Sequence, residues 1–358
     1  MSDPVARGAD VPGARAPGRA VDVHQHHVPA SLRASLEERA RHDAAFARQF
    51  ATVLTDFAEA LADVDGRLRQ MDAAGVEVAV LAAPPPAAEA VPVERRAALA
   101  AAVNDELLAL AEKHPGRFAI ALCLPLPDAA AAVAEVRRVG SAGAAEAVSL
   151  LAHLDGVAVD DDAFDELYGS CAAAGLPVLL HPALDPIAPA FGDWNLASAI
   201  GAPVETTLAA ARLALGGTLD RHPALDVVVP HLGGLVPFLF QRLEDQASPG
   251  EAAHPLSHYW RERFYYDTCS FHAPALACAI DSVGAERLLL GSDYPFRGGV
   301  ARAVDDLSVL GHGERALVAA ANAARWFGGG SRGNGGSERD RDKRDRDKRD
   351  REKEENGG

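Results

Sequence analysis

Eight apolar runs of strand length, separated by helical patterns, constrain this chain more than any other feature. They are Val21 to Val23, Val76 to Leu81, Arg117 to Leu124, Glu146 to Leu151, Pro177 to His181, Leu225 to His231, Arg263 to Thr268 and Arg287 to Asp293. Between them, apolar residues recur at spacings of three and four and the stretch ends in glycine, as in Val64, Leu68, Met71 before Gly75 and Phe164, Leu167, Tyr168, Cys171 before Gly175. That pattern is an amphipathic helix with a left-handed C-terminal cap, feeding the next strand. Runs of Val, Ile and Leu without alternation require burial on both faces, so the sheet is parallel. Eight such units over roughly 300 residues predict an α/β chain folded as a (β/α)8 barrel. A doubly wound open sheet wants a glycine-rich turn after its first strand, and VDVHQHHVP has histidines there instead.

The two ends read differently. Residues 1–19 are Pro/Gly-rich without periodicity, and 328–358 carry a DRDKR repeat whose ten basic and nine acidic residues nearly cancel. Neither has an apolar face with which to offset ordering entropy, so a disordered arm, a barrel over 20–327 and a disordered mixed-charge tail are expected. The net charge of −16 therefore belongs to the barrel, and it argues against nucleic acid and anionic membrane as partners. Cys123, Cys171, Cys269 and Cys278 form no CxxC pair and read as reduced, buried thiols. With no apolar leader and no 18-residue apolar run, the expected location is cytoplasmic.

In a barrel of this kind the site lies at the C-terminal ends of the strands. The first run ends in His24, Gln25, His26, and the period of two in a strand turns both imidazoles to one side, into the barrel mouth. The fifth run ends in His181, the sixth in His231 and the eighth in Asp293. One such residue alone is more simply a core hydrogen-bond partner. Five at the same end of four strands would cost several kcal/mol if buried without partners, and a metal ion supplies the partner. Imidazoles with one carboxylate and no thiolate suit Zn²⁺ first, with Mn²⁺, Fe²⁺ or Co²⁺ within the same donor preference. Before Gly328 the only lysine is Lys113, ahead of the third strand. No strand lysine is available to bridge two metals or to form a Schiff base, so one ion and no organic cofactor are expected.

The motifs VDVHQHHVP, LLHPA, VVVPHLGG, YYDTCS and LLLGSDYPF, in that order, resemble the metal-dependent amidohydrolase superfamily. The resemblance is to its branch of aminocarboxymuconate-semialdehyde and hydroxybenzoate decarboxylases, spans about residues 20–327, and is strongest around Trp194 and the run Pro203 to Thr207. It implies His24, His26, His181 and Asp293 as metal ligands and His231 as an unliganded acid/base, with Asp293 as a further proton carrier. It places Arg242 on a substrate carboxylate, in some members across a dimer interface, which implies a homodimer. It also implies an arginine near the helix before the second strand, where both Arg67 and Arg69 stand. Asp267 is expected to orient a ligand or to bind metal itself, His27 and His42 to be surface or supporting residues, and Phe191, Trp194 and Phe296 to line an aromatic pocket.

The expected activity is decarboxylation of a planar carboxylic acid, of hydroxybenzoate or muconate-semialdehyde type, with the small acid as the partner. Loss of CO2 leaves a carbanion unless the carbon is protonated by a positioned acid beside a Lewis acid. The alternative is hydrolysis of an amide, lactone or ester, which the same ligand set would serve. The Trp194 to Thr207 segment is what favours decarboxylation.

Overall fold

The computed structural model describes residues 20–327 apart from 141–144, 155, 185–190 and 249. The arm and the tail expected at 1–19 and 328–358 lie outside the described residues. The chain opens with β1 (Ala20–His26), β2 (Val76–Ala82), β3 (Phe118–Leu122) and β4 (Ala147–Leu151), followed by a small antiparallel pair, β5 (His153–Leu154) and β6 (Val157–Ala158). It continues through β7 (Val178–His181), β8 (Val227–Val229), β9 (Phe264–Asp267) and β10 (Leu288–Leu289). All except β5 and β6 form one parallel sheet in chain order. The sheet closes on itself. Val23 N–H donates to the Leu290 carbonyl at 2.8 Å, and His26 N–H to that of Tyr294 at 2.8 Å. The (β/α)8 barrel is what the eight runs required.

Two cores follow from the period of two along each strand. Val21, Val23, Val78, Val80, Leu179, Val228, Tyr265 and Leu289 fill the barrel, capped at one end by Ala323 and Phe327. Their alternate neighbours, such as Ala79, Leu81, Val178, Leu180, Val227 and Val229, meet the helices outside. Both expected cap glycines hold. The helix Val64–Ala74 ends at Gly75 with φ 72°, and Asp165–Ala174 at Gly175 with φ 65°.

Three expectations need correction. β8 stops at Val229 because Pro230 has no N–H to continue a ladder, so His231 lies beyond the strand, at φ 57°. β10 stops at Leu289, and Asp293 lies four residues further on, at φ 54°. Cys278 is exposed on the helix Ala273–Val283, whereas Cys123, Cys171 and Cys269 are buried as expected.

Candidate active site

Val21 and Val23 point into the barrel, so strict alternation would turn His24 and His26 outward. They face inward because β1 bulges. Asp22 pairs with Ala79 and Gln25 with Leu81, three steps on one strand against two on the other. Val23 and His24, consecutive in the chain, consequently line the same small interior cavity with His26, His181 and Asp267. A bulge of this kind re-aims side chains near a site.

The four expected ligands converge. One ligand atom from each of His24, His26 and His181 lies within 4.8 Å of the other two. His24 Nε2 and His26 Nε2 are 3.1 Å apart, and Asp293 Oδ1 is 3.6 Å from the first and 3.3 Å from the second. Ligands about 2.1 Å from a tetrahedral ion are about 3.4 Å from one another, so these residues fit one divalent ion. The outer nitrogens set the tautomers. His24 Nδ1–H donates to Asp267 Oδ2 at 2.6 Å and His181 Nδ1–H to the Pro182 carbonyl at 2.8 Å, which leaves both Nε2 atoms for the centre.

Burial lowers the pKa of His26 and His231 and drives that of His181 well down, the last assisted by His26, His24 and His231. Neutral imidazole is the ligand form. His24 differs before an ion binds: burial opposes its charge, yet Asp267, in contact with it, and Asp293 raise its pKa to about 9, so an incoming ion would displace a proton from Nε2. Burial also opposes the charge of Asp293, but the hydrogen bond from His26 and the charge of His24 hold its pKa below the usual carboxylate range. Asp267 stays ionised for the same kind of reason, with His24 against it. It serves as an orienting group: its Oδ1 also accepts the His231 and Cys269 N–H groups at 2.7 and 3.0 Å.

His231 stands beside this cluster, its ring centroid 5.6 Å from that of His24 and 6.4 Å from that of His181. Its Nδ1 is buried without a hydrogen-bond partner. The turn that presents it depends on Gly233 and Gly234, at φ 78° and 63°, where a Cβ would lie 2.8 Å from the Tyr266 ring and 2.3 Å from the Pro203 carbonyl oxygen. The run Pro203 to Thr207 fastens two of the site loops. Glu205 Oε2 accepts the Ala183 N–H at 2.7 Å just after His181, and Thr207 Oγ1 accepts that of Leu235 at 2.7 Å.

Phe296 lies against His26, with centroids 5.7 Å apart, and Phe57 meets Phe296 edge-on at 5.1 Å. Trp194 is 87% exposed and Arg242 is exposed on the helix Val236–Gln246. Arg67 is fully buried, donating to Gln25 Oε1 and the His26 carbonyl, whereas Arg69 is exposed. His42 is a surface residue and His27 is buried. Sequence reasoning missed Arg297, whose Nε is 3.8 Å from Asp293 Oδ2 and whose Nη2 donates to the Ser198 hydroxyl at 2.8 Å. Its position four residues after Asp293 was the available signal.

A closed parallel barrel with an H-x-H pair, a third histidine and a carboxylate at the strand ends defines a metal-dependent (β/α)8 enzyme. The chain belongs to the amidohydrolase family, whose model matches residues 21–329, and within it to the hydroxybenzoate decarboxylase-like branch. It is 30% identical over 288 residues to the gamma-resorcylate decarboxylase of Rhizobium sp. (strain MTP-10005), covering 74% of this chain and 86% of that protein. The crystal structure of 5-carboxyvanillate decarboxylase from Sphingomonas paucimobilis superposes with a TM-score of 0.79 at 27% identity, over 86% of this chain and 98% of that one. A dihydroxybenzoic acid decarboxylase from Polaromonas sp. JS666, solved with bound manganese and the inhibitor 2-nitroresorcinol, gives 0.76 at 23% identity over 87% and 97%. Among the described residues no helix is long and apolar enough to cross a membrane.

Proposed function

We propose that this protein is a metal-dependent decarboxylase of a planar hydroxybenzoate-type acid, with His24, His26, His181 and Asp293 holding one divalent ion. The observation that carries the reading is His231: a half-buried imidazole whose pKa burial lowers, its Nδ1 enclosed without a hydrogen-bond partner, facing the ligand cluster from its own turn. Zn²⁺ suits three imidazoles and a carboxylate, and the manganese of the Polaromonas enzyme makes Mn²⁺ the first metal to compare with it.

When bound, the ion supplies Lewis acidity toward an oxygen donor of the substrate. The side chains do the rest. Phe296 and Phe57 offer flat apolar walls next to His26, which suit a conjugated ring. His231, neutral before turnover, takes up a proton from the substrate's ionisable hydroxyl or from solvent and passes it to the carbon that loses CO2, with Asp293 as the neighbouring proton carrier. A guanidinium anchors the carboxylate out of the ring plane. Arg242 has this role through a homodimer: Phe238, one turn earlier on the same face, is 84% exposed, and Trp194 adds a second exposed aromatic for a partner copy to cover. Arg297 is a cation of the same chain beside Asp293.

The same ion and histidine serve hydrolysis, so the test carries both reactions. Hydroxybenzoates and muconate semialdehydes are assayed for CO2 release, and lactones, esters and amides of similar size for hydrolysis. At least one planar acid is expected to release CO2 and to take up a solvent deuteron at the vacated carbon, with Arg242→Ala raising KM more than it lowers kcat. Hydrolysis without CO2 from any acid would overturn the decarboxylase reading.

A further inference from the structure

The β1 bulge points the ligands inward, and three buried side chains outside the barrel are wired to it. Asp22 lies behind the strand, fully buried. Its Oδ1 accepts the N–H of His24 at 3.2 Å and that of Ser292, the neighbour of Asp293, at 3.0 Å. Its Oδ2 accepts from Gln25 Nε2 at 2.8 Å, across the bulge. The other end of the Gln25 amide, Oε1, accepts from Arg67 Nη1 at 2.9 Å, and Arg67 Nη2 donates to the His26 carbonyl at 2.6 Å. The Arg67 guanidinium lies over the Tyr294 ring, 4.6 Å from its centroid. The carboxylate and the guanidinium are thus joined through one amide whose donor end faces the anion and whose acceptor end faces the cation.

We propose that Asp22, Gln25 and Arg67 form a clamp that holds the β1 bulge and thereby sets the direction of His24 and His26 and their spacing to Asp293. They are positioning residues, and the middle residue of H-Q-H is a polarity-matched bridge instead of a spacer. A flat β1 would return His24 and His26 to the outward phase of Asp22, and the site would lose two donors. Burial makes the polarity strict, because an unmatched donor or charge has no water to turn to.

The proposal rests on His24 and His26 being ligands, and the experiment separates the two. Full-length protein is stripped with chelator and titrated with Mn²⁺, bound ion being read by EPR, and the melting temperature of each stripped variant is recorded. In Asp22→Asn the new amide nitrogen confronts Gln25 Nε2, and turning the Gln25 amide only moves the donor clash to Arg67. In Gln25→Glu two carboxylates meet where a 2.8 Å hydrogen bond stood. In the double variant the amide introduced at position 22 donates to the carboxylate introduced at position 25, which in turn accepts from Arg67. Every link then returns, with the charge moved from one side chain to the other.

Each single variant is expected to bind Mn²⁺ at least about tenfold more weakly, the effect typical of residues that orient ligands, and the double variant to recover most of that loss. Singles that bind like the parent, or a double variant no better than Gln25→Glu, would overturn the clamp. So would melting temperatures that fall while affinity holds, since that marks packing alone. If Asp22→Asn does not fold, the comparison of Gln25→Glu with the double variant decides. Retention of Mn²⁺ in His24→Ala would instead overturn the ligand reading, and the clamp with it.

Discussion

His231 and His27 show how differently two histidines of lowered pKa act in one chain. His231 faces the ligand cluster but holds none of the short contacts that join His24, His26 and Asp293. His231→Asn is therefore expected to retain about one equivalent of metal by elemental analysis while kcat falls by roughly 100-fold or more, the contribution of a positioned acid/base. A loss of metal as large as in His181→Ala would make His231 a ligand. His27 Nδ1 is buried without a hydrogen-bond partner. Burial, with Arg67 and Arg33 nearby, lowers its pKa from 6.5 to about 3. The unfolded chain takes up this proton near pH 6.5 and the folded one only near pH 3, so the stabilisation is present above pH 6.5 and is lost as pH falls toward 3. Melting temperatures of His27→Gln between pH 7 and 4 are expected to fall less steeply than those of the parent.

At the scale of elements, the chemistry sits where regular structure breaks. His231 and Asp293 both have left-handed backbones just past β8 and β10, and β1 bulges where its histidines begin. Such conformations persist only when the surroundings hold them. For His231 the holder is the Pro203 to Thr207 segment, pressed against Gly234. Gly234→Ala would put a Cβ 2.3 Å from the Pro203 carbonyl oxygen at φ 63°. It is expected to cost about 1–3 kcal/mol from backbone strain alone, more from the clash, and to lower turnover further than Gly75→Ala, whose Cβ meets nothing within 4 Å. Thermal melts and kcat of the two variants check this.

At the scale of the whole molecule, apolar burial among the described residues lies in the barrel interior and in the shell between strands and helices. The sequence from 328 to 358 contains no Val, Ile, Leu, Met or aromatic residue and has no apolar surface to add to that core. Truncation after Phe327 is accordingly expected to leave the melting temperature, the oligomeric state and kcat unchanged, as read by calorimetry, light scattering and CO2 release. A drop of several degrees, or a change of mass per particle beyond the deleted residues, would assign the tail a structural part.

Barrel architecture was legible because it rests on periodicity: uninterrupted Val/Ile/Leu runs specify strands buried on both faces, and glycines after three-and-four patterns specify helix ends. Which donor groups could gather was legible for a related reason, since residues at strand ends must gather at one rim of a closed barrel. That the two imidazoles of β1 share the side of the barrel mouth was legible as well; the bulge that puts them there was not. Strict alternation predicts the opposite face for His24 and His26 from the one they occupy, because a bulge is a three-dimensional agreement among Asp22, Gln25, Arg67 and Ser292, which are up to 270 positions apart. Arg297 escaped notice partly for the same reason: Asp293 lies only four residues before it, but its other partner, Ser198, is 99 positions away in the chain. Local sequence determines which groups can do the chemistry; long-range hydrogen bonds, made only on folding, decide where each one points.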